Sequence, residues 1–337
     1  MLLSKNPILF TVKKQIFAEI AFRKQQKERE SFFTNFKSAF PLLSSEDLQK
    51  KAKNNWHSQY FNYCRVQVLK RISKQKIRQY LINNIDIERI ENLKSACQEN
   101  QPIVFFTPHF GDFIAGSLRL GIECAKHKPI NVFYQHPKDN PSNADFKPII
   151  DKCDFPPEAA ILYDSKAILK GLRALKKGQA LIMFSDLAEM NEASFFIPFF
   201  NRLILAMGGT AFFAIKSGAK IIPYYCIPSK LMKSKLIIEA PLEIPTAENL
   251  EDSIYLLTKT IFANMENQFK KTPEHWHYWA KWHQWTPVNK SFELDYNAWN
   301  KNIDEMKKVY FARQPKLNEF LEEFETKIDS LKINSAL

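Results

Sequence analysis

Residues 103–113 read Ile103-Val104-Phe105-Phe106-Thr107-Pro108-His109-Phe110-Gly111-Asp112-Phe113. The first four are a short, unbroken apolar run of strand length. The run breaks at Pro108, turns through His109 and Gly111, and feeds a second apolar stretch of helical length over 114–122. A histidine is thereby placed at the mouth of a sheet, a glycine leaves room beside it, and an acid follows three residues on. On the first turn of a helix that spacing is expected to let the Asp112 carboxylate reach the imidazole and hold its tautomer. The other ring nitrogen is then left to act as a base. A structural histidine satisfied within the fold accounts for the same letters.

Outward from this stretch, the same alternation repeats. Short apolar runs at 131–134, 181–184 and 221–226 have strand length, and helix-like stretches at 165–177 and 209–217 separate them. All eight glycines fall between Gly111 and Gly218, where tight turns and close approach to a ligand are concentrated. The pattern predicts an α/β fold with a mixed sheet flanked by helices. Helices are added at both ends. Residues 8–30 predict one basic amphipathic helix with Ile8, Leu9, Val12, Ile16, Phe17, Ile20 and Phe22 as its stripe, and 45–83 are helical with Ser45 as a cap. Residues 251–271 form another amphipathic helix, and Phe320, Phe324, Ile328 and Leu331 stripe a closing one. The expected organisation is a basic helical region over 1–85, an α/β domain over 86–290 and C-terminal helices over 291–337.

Composition narrows the class. Of the 337 residues, 45% are hydrophobic and 25% charged, which argues against disorder, and no run approaches the roughly 18 apolar residues of a membrane-spanning helix. Five scattered cysteines without a C-x-x-C pair indicate neither a disulfide framework nor a thiolate zinc site. His275, His277 and His283 lie among tryptophans with no carboxylate or cysteine pattern beside them, so neither a metal nor a cofactor is expected. The net charge of +12 is uneven: residues 1–85 carry 17 Lys and Arg against five Asp and Glu, so the excess lies entirely there. No acid occurs between Asp47 and Asp86, while Lys50, Lys51, Lys53, Arg65, Lys70, Arg71, Lys74, Lys76 and Arg78 fall in that interval. Such a surface suits an anionic bilayer or an acidic carrier protein, and a solvated basic face kept for solubility accounts for the same charge. Nucleic acid is the third fit, and it is set aside because no recognised binding motif accompanies the charge.

The His109-Phe110-Gly111 turn resembles the H-x-G opening of the active-site motif in the bacterial lipid A late (lauroyl/myristoyl) acyltransferase family, within the glycerolipid acyltransferase superfamily and its H-x4-D/E signature. Further stretches are similar in the same order. Phe133-Tyr134 with Asn140-Pro141 resembles that family's Y-R-P…K-N-P segment, Leu172–Gly178 its helix end, and Phe184-Ser185-Asp186 its strand ending in an acid. Phe196–Arg202 resembles v-P-F-F-G-R, Gly208-Gly209-Thr210 to Pro223 the block that follows, and Pro273-Glu274 with its tryptophans the P-E-Q-W…W terminus. The family acid five residues after the histidine falls on Ile114, so Asp112 and Asp186 are both candidates to partner His109.

The resemblance implies transfer of a fatty acyl group from an acyl carrier protein or CoA thioester to a hydroxyl of a lipid or glycolipid. The enzyme is then expected to sit peripherally on the cytoplasmic face of the bacterial inner membrane. His109 suits the base, and backbone amides at Gly208, Gly209 and Thr210 suit an oxyanion or phosphate. Gly111, Tyr134, Asn140 and Arg202 are further candidates for substrate contact, and Phe195–Phe200 with Ile204–Phe213 for an acyl channel, although core packing explains those apolar residues equally well. A catalytically impaired scaffold acting as a lipid-binding or accessory factor is the alternative. An acidic oxygen within hydrogen-bond reach of His109 favours catalysis over it.

Overall fold

The computed structural model describes residues 6–134, 138, 143, 146–152, 160–162, 166–186, 194–200, 202–230 and 232–285. Four helices come first: α1 (Pro7–Lys24), α2 (Gln26–Ala39), α3 (Ser45–Arg71) and α4 (Lys74–Asn84). There follow β1 (Ile85–Glu88), α5 (Ile90–Gln98), β2 (Ile103–Thr107), α6 (Phe113–Cys124), β3 (Ile130–Tyr134), α7 (Lys147–Ile150), β4 (Ala160–Leu162), α8 (Ala167–Lys176) and β5 (Ala180–Phe184). A hairpin of β6 (Ser194–Phe199) and β7 (Arg202–Met207) precedes α9 (Gly209–Ser217), β8 (Lys220–Pro228), β9 (Ser234–Ile238) and α10 (Leu250–Lys271). Two 3-10 stretches, Pro273–His275 and Trp279–Trp285, complete the described chain. The closing helix expected over 291–337 lies outside the described residues, as does Asn140.

Seven strands form one sheet in the order β1-β9-β8-β2-β5-β3-β4, parallel at every pairing except the antiparallel β8–β9 hairpin. The fold is a mixed α/β sheet flanked by helices. β2 sits centrally with all five residues buried, as its continuous apolar run requires. Its side chains alternate between two cores. Val104 and Phe106 join the tryptophans, α9 and α10 on one face; Ile103 and Phe105 join α4, α5 and α6 on the other.

The N-terminal helices share both cores. Ala18, Ala21, Phe32, Phe36 and Trp56 belong to the first, and Phe10, Phe61, Leu69 and Leu81 to the second. The helix expected over 8–30 is two helices, because the chain leaves helical geometry at Gln25 (φ −89°, ψ 66°). There the Gln25 Oε1 accepts a hydrogen bond from Trp56 Nε1 at 3.0 Å, and the bend lets Phe32 and Phe36 reach Trp56 and Trp279. The helical stretch 45–83 likewise divides at Ser73. Ser44, rather than the expected Ser45, caps α3, accepting from the Asp47 amide at 3.1 Å. No helix among the described residues is long and apolar enough to cross a membrane.

Candidate active site

The site begins with register. β2 and β5 run parallel, with Thr107 opposite Phe184 at their carboxyl ends. Two residues beyond that pair lie His109, just past β2, and Asp186, just past β5, so the sheet itself sets them side by side. Carboxyl ends of parallel strands are where α/β sheets open their ligand crevices. His109 Nδ1 lies 2.8 Å from Asp186 Oδ1, and the His109 backbone N–H donates to Asp186 Oδ2 at 2.8 Å. Trp276 Nε1 also donates to that Oδ2, at 3.0 Å. A carboxylate only accepts, so Nδ1 carries the proton in this pair and Nε2 is the open nitrogen. Asp186 is 1% exposed and the His109 side chain 19% exposed: the acid is sealed beneath an imidazole that reaches solvent. Phe113, Phe184 and Tyr278 enclose the imidazole at ring-centroid distances of 4.9, 5.0 and 4.8 Å. Desolvation raises the Tyr278 phenol well above its usual range, with the nearby Asp186 charge adding to the shift.

Asp112 does not make the contact its spacing suggested. It is fully buried and turned to the other core, where its Oδ2 accepts from Arg65 Nε at 3.0 Å and Ser234 Oγ at 2.7 Å. Its own amide donates to the Cys226 carbonyl at 2.9 Å, and its Oδ1 has no hydrogen-bond partner among the described residues. The reason is the backbone: Gly111 takes a positive φ of +59°, so α6 starts turned away from the imidazole. Arg65, counted above with the surface charge, is instead buried at 0% exposure. Burial is the largest single influence and favours its neutral form, but the Asp112 carboxylate together with Tyr80 and Cys226 outweighs it and raises the guanidinium; burial likewise pushes the Asp112 carboxyl up, against the pull of Arg65.

The remaining candidates separate by position. The Gly111 amide donates to the His275 carbonyl at 2.8 Å, which fixes the turn after His109. Gly208 caps α9 and Thr210 Oγ1 bonds Ser185 Oγ at 2.8 Å, bringing the amino end of that helix against the residue beside Asp186. Tyr134 ends β3 and Arg202 opens β7. Phe199 and Phe200 pack into the buried cluster of Trp276, Trp279 and Trp282. Phe195, Ile197 and Ile204–Ala206 are buried in the same core.

Four contributors escaped the sequence reading. Phe184 and Tyr278 wall the imidazole, Trp276 holds Asp186, and Arg65 binds Asp112; for Trp276 the signal was its place beside Pro273-Glu274, and for Arg65 there was none. Two histidines brace the loop from below. The His277 N–H donates to the His109 carbonyl at 2.9 Å, and His275 Nδ1 lies 2.8 Å from Ser58 Oγ. Desolvation lowers His275 to about 4; desolvation and then the charge of His109 lower His277 to about 3. Both are neutral near pH 7. Among the described residues no group of three His, Cys, Asp or Glu is placed to hold a metal ion.

The family described as bacterial lipid A biosynthesis acyltransferase matches residues 9–284. The chain belongs to that family. It is therefore an acyltransferase of lipid biosynthesis, and the match runs through α1–α4 as well as the sheet. No curated protein matches it. The chain is similar to a solved structure, the 1-acyl-sn-glycerophosphate (LPA) acyltransferase PlsC from Thermotoga maritima, at 13% identity and a TM-score of 0.33; the likeness covers 78% of this chain and 97% of that one.

Proposed function

We propose that this acyltransferase moves a fatty acyl group from a thioester, carried by acyl carrier protein or CoA, to a hydroxyl of a lipid or glycolipid acceptor, with His109 as general base. The observation that carries the reading is the 2.8 Å contact between His109 Nδ1 and the sealed Asp186 carboxylate, which leaves Nε2 toward solvent at a strand end. Nε2 takes the proton of the acceptor hydroxyl as its oxygen attacks the thioester carbonyl. Asp186 keeps the tautomer and stabilises the imidazolium, as the acid of a hydrolase triad does. The tetrahedral intermediate then expels the thiolate, which recovers the proton from the imidazolium, so the base returns to its starting state.

Backbone amides at Gly208, Gly209 and Thr210, at the amino end of α9, suit the developing oxyanion or a phosphate. Gly111, Tyr134, Asn140 and Arg202 remain candidates for substrate contact. The enclosure of the imidazole by Phe113, Phe184 and Tyr278 would keep water from the reacting carbonyl. The basic charge of residues 1–85 suits peripheral docking on the anionic cytoplasmic face of the bacterial inner membrane. The acid in hydrogen-bond reach of His109 favours this reading over that of an impaired scaffold.

The test is His109→Ala, assayed with lauroyl-acyl carrier protein and lauroyl-CoA on a total lipid extract, products identified by mass spectrometry. Loss of transfer with an unchanged circular dichroism spectrum is expected. Wild-type turnover by the variant would remove the base assignment.

A further inference from the structure

The loop that carries His109 is gripped on every side, and one grip is electrostatic. Its backbone hangs from the His275 carbonyl through the Gly111 amide, from the Cys226 carbonyl through the Asp112 amide, and from the His277 amide through the His109 carbonyl. A fourth tie is the His109 amide donating to Asp186 Oδ2, and a fifth is the Asp112 carboxylate. It meets Arg65, a residue of α3 that is distant in sequence, in a contact from which both side chains exclude water completely.

Arg65 is a hub. Besides Asp112 it donates to the Tyr80 hydroxyl at 2.8 Å, the Met232 carbonyl at 2.5 Å and Ser234 Oγ at 3.3 Å. Its guanidinium lies over the rings of Phe10, Phe61 and Tyr80 at 5.9, 5.1 and 5.5 Å. It thus joins α1, α3, α4, the β8–β9 hairpin and the loop of the base. Burying such a pair is poor value for stability, since apolar side chains of similar size commonly serve as well or better. What the planar fork supplies is direction: a carboxylate held at a defined point.

We infer that Arg65 is a positioning residue, setting the place of the His109 imidazole over Asp186 through its buried bond to Asp112. This rests on His109 being the base. A misplacement of about 1 Å far from the chemistry can cost on the order of 10²-fold in rate, so loss of the tie should lower turnover without weakening substrate binding.

Arg65→Ala alone would strand a buried carboxylate, so the informative variant is Arg65→Met with Asp112→Leu, which removes both charges. With lauroyl-acyl carrier protein and a total lipid extract, kcat should fall roughly 10- to 100-fold with KM within about twofold. The Nδ1–H resonance of His109 in histidine-labelled protein, identified by its loss in His109→Ala, should be displaced. Leu93→Ala, in the same core but away from the loop, controls for simple destabilisation and should leave that resonance in place. Wild-type kcat and an unmoved resonance in the folded double variant overturn the inference, as does a change no larger than that of Leu93→Ala. If the double variant does not fold, Arg65→Lys decides. Lysine lacks the fork, so it must show the same displacement, and a wild-type kcat would end the proposal. Activity retained by His109→Ala would instead bring down the base assignment, while the resonance still reports whether Arg65 positions the ring.

Discussion

At the scale of the residue, two aspartates compete for one histidine and their surroundings decide between them. Asp186 meets His109 twice and is steadied by Trp276, whereas Asp112 is committed to Arg65 and Ser234. Asp186→Asn should therefore lower kcat by about 10²-fold or more, in the range of general-base contributions. Asp112→Asn keeps an oxygen for Arg65 and Ser234 and should cost less than about tenfold, since it acts only through the loop's position. Steady-state rates of the two variants, each checked for folding, give the ranking. The opposite order would return the partner's role to Asp112.

At the scale of the element, the loop and α6 depend on backbone approaching backbone. A Cβ at Gly111 would lie 2.2 Å from the Cys226 carbonyl oxygen, at a φ of +59° that L side chains avoid. A Cβ at Gly116, inside α6, would lie 2.4 Å from Cys226 Cβ on β8. Glycine in a helix interior ordinarily costs about 0.5–1 kcal/mol relative to alanine, so Gly116→Ala should stabilise if propensity ruled. Overpacking costs about 1–3 kcal/mol and outweighs that gain. Thermal melts should thus show both Gly111→Ala and Gly116→Ala destabilised, Gly111→Ala the more so because its obstacle is backbone and its φ is strained. A raised melting temperature for Gly116→Ala would show that α6 can slide off β8 at little cost.

At the scale of the whole molecule, pH and charge distribution make separate demands. His275 and His277 titrate near 4 and 3 in the fold and near 6.5 when unfolded, so in that window the unfolded chain binds the extra protons. Stability is then full above about pH 6.5 and declines as pH falls toward 4, by about 1.4 kcal/mol per pH unit for each histidine. Denaturant midpoints at pH 7, 6 and 5 should trace that decline, and His275→Gln should remove about half of its slope.

The charge of the basic helices bears on the proposed membrane docking. On α1 the residues Ile8, Val12, Ile16 and Ile20 form an exposed ridge opposite the buried Phe10, Ala18 and Ala21, beside the cationic surface of the first quarter. Binding to vesicles should rise with anionic lipid content and fall with salt. Replacing Lys70, Arg71, Lys74 and Lys76 by Gln should weaken it, at roughly 1 kcal/mol per charge at low ionic strength. Activity on a detergent-dispersed acceptor should persist. A quadruple variant that binds vesicles as before but loses its response to acyl carrier protein would make the patch a carrier-docking site instead.

The α/β class, a strand at 103–106 and the histidine at its end were legible in the sequence because they rest on local pattern, an unbroken apolar run and a glycine turn, whereas its extension to Thr107 and its central place came from the fold. The helices read over 8–30, 45–83, 114–122, 165–177, 209–217 and 251–271 were legible for the same reason, apart from the breaks at Gln25 and Ser73, which follow from what they pack against, whereas α5 and the run of α2 to Ala39 were not read. Which acid serves His109 was beyond reach, because it depends on β2 and β5 lying adjacent and parallel with Thr107 opposite Phe184. Spacing along the chain pointed to Asp112, and a left-handed turn at Gly111 sent that carboxylate into the other core. Arg65 shows the same limit. In the sequence it is one basic residue in an acid-free run, and only the convergence of α3, α4 and the β8–β9 hairpin on the loop of His109 makes it a buried partner. Charge and apolar periodicity are properties of a segment, whereas pairing across the sheet and the burial of a charge belong to the assembled fold.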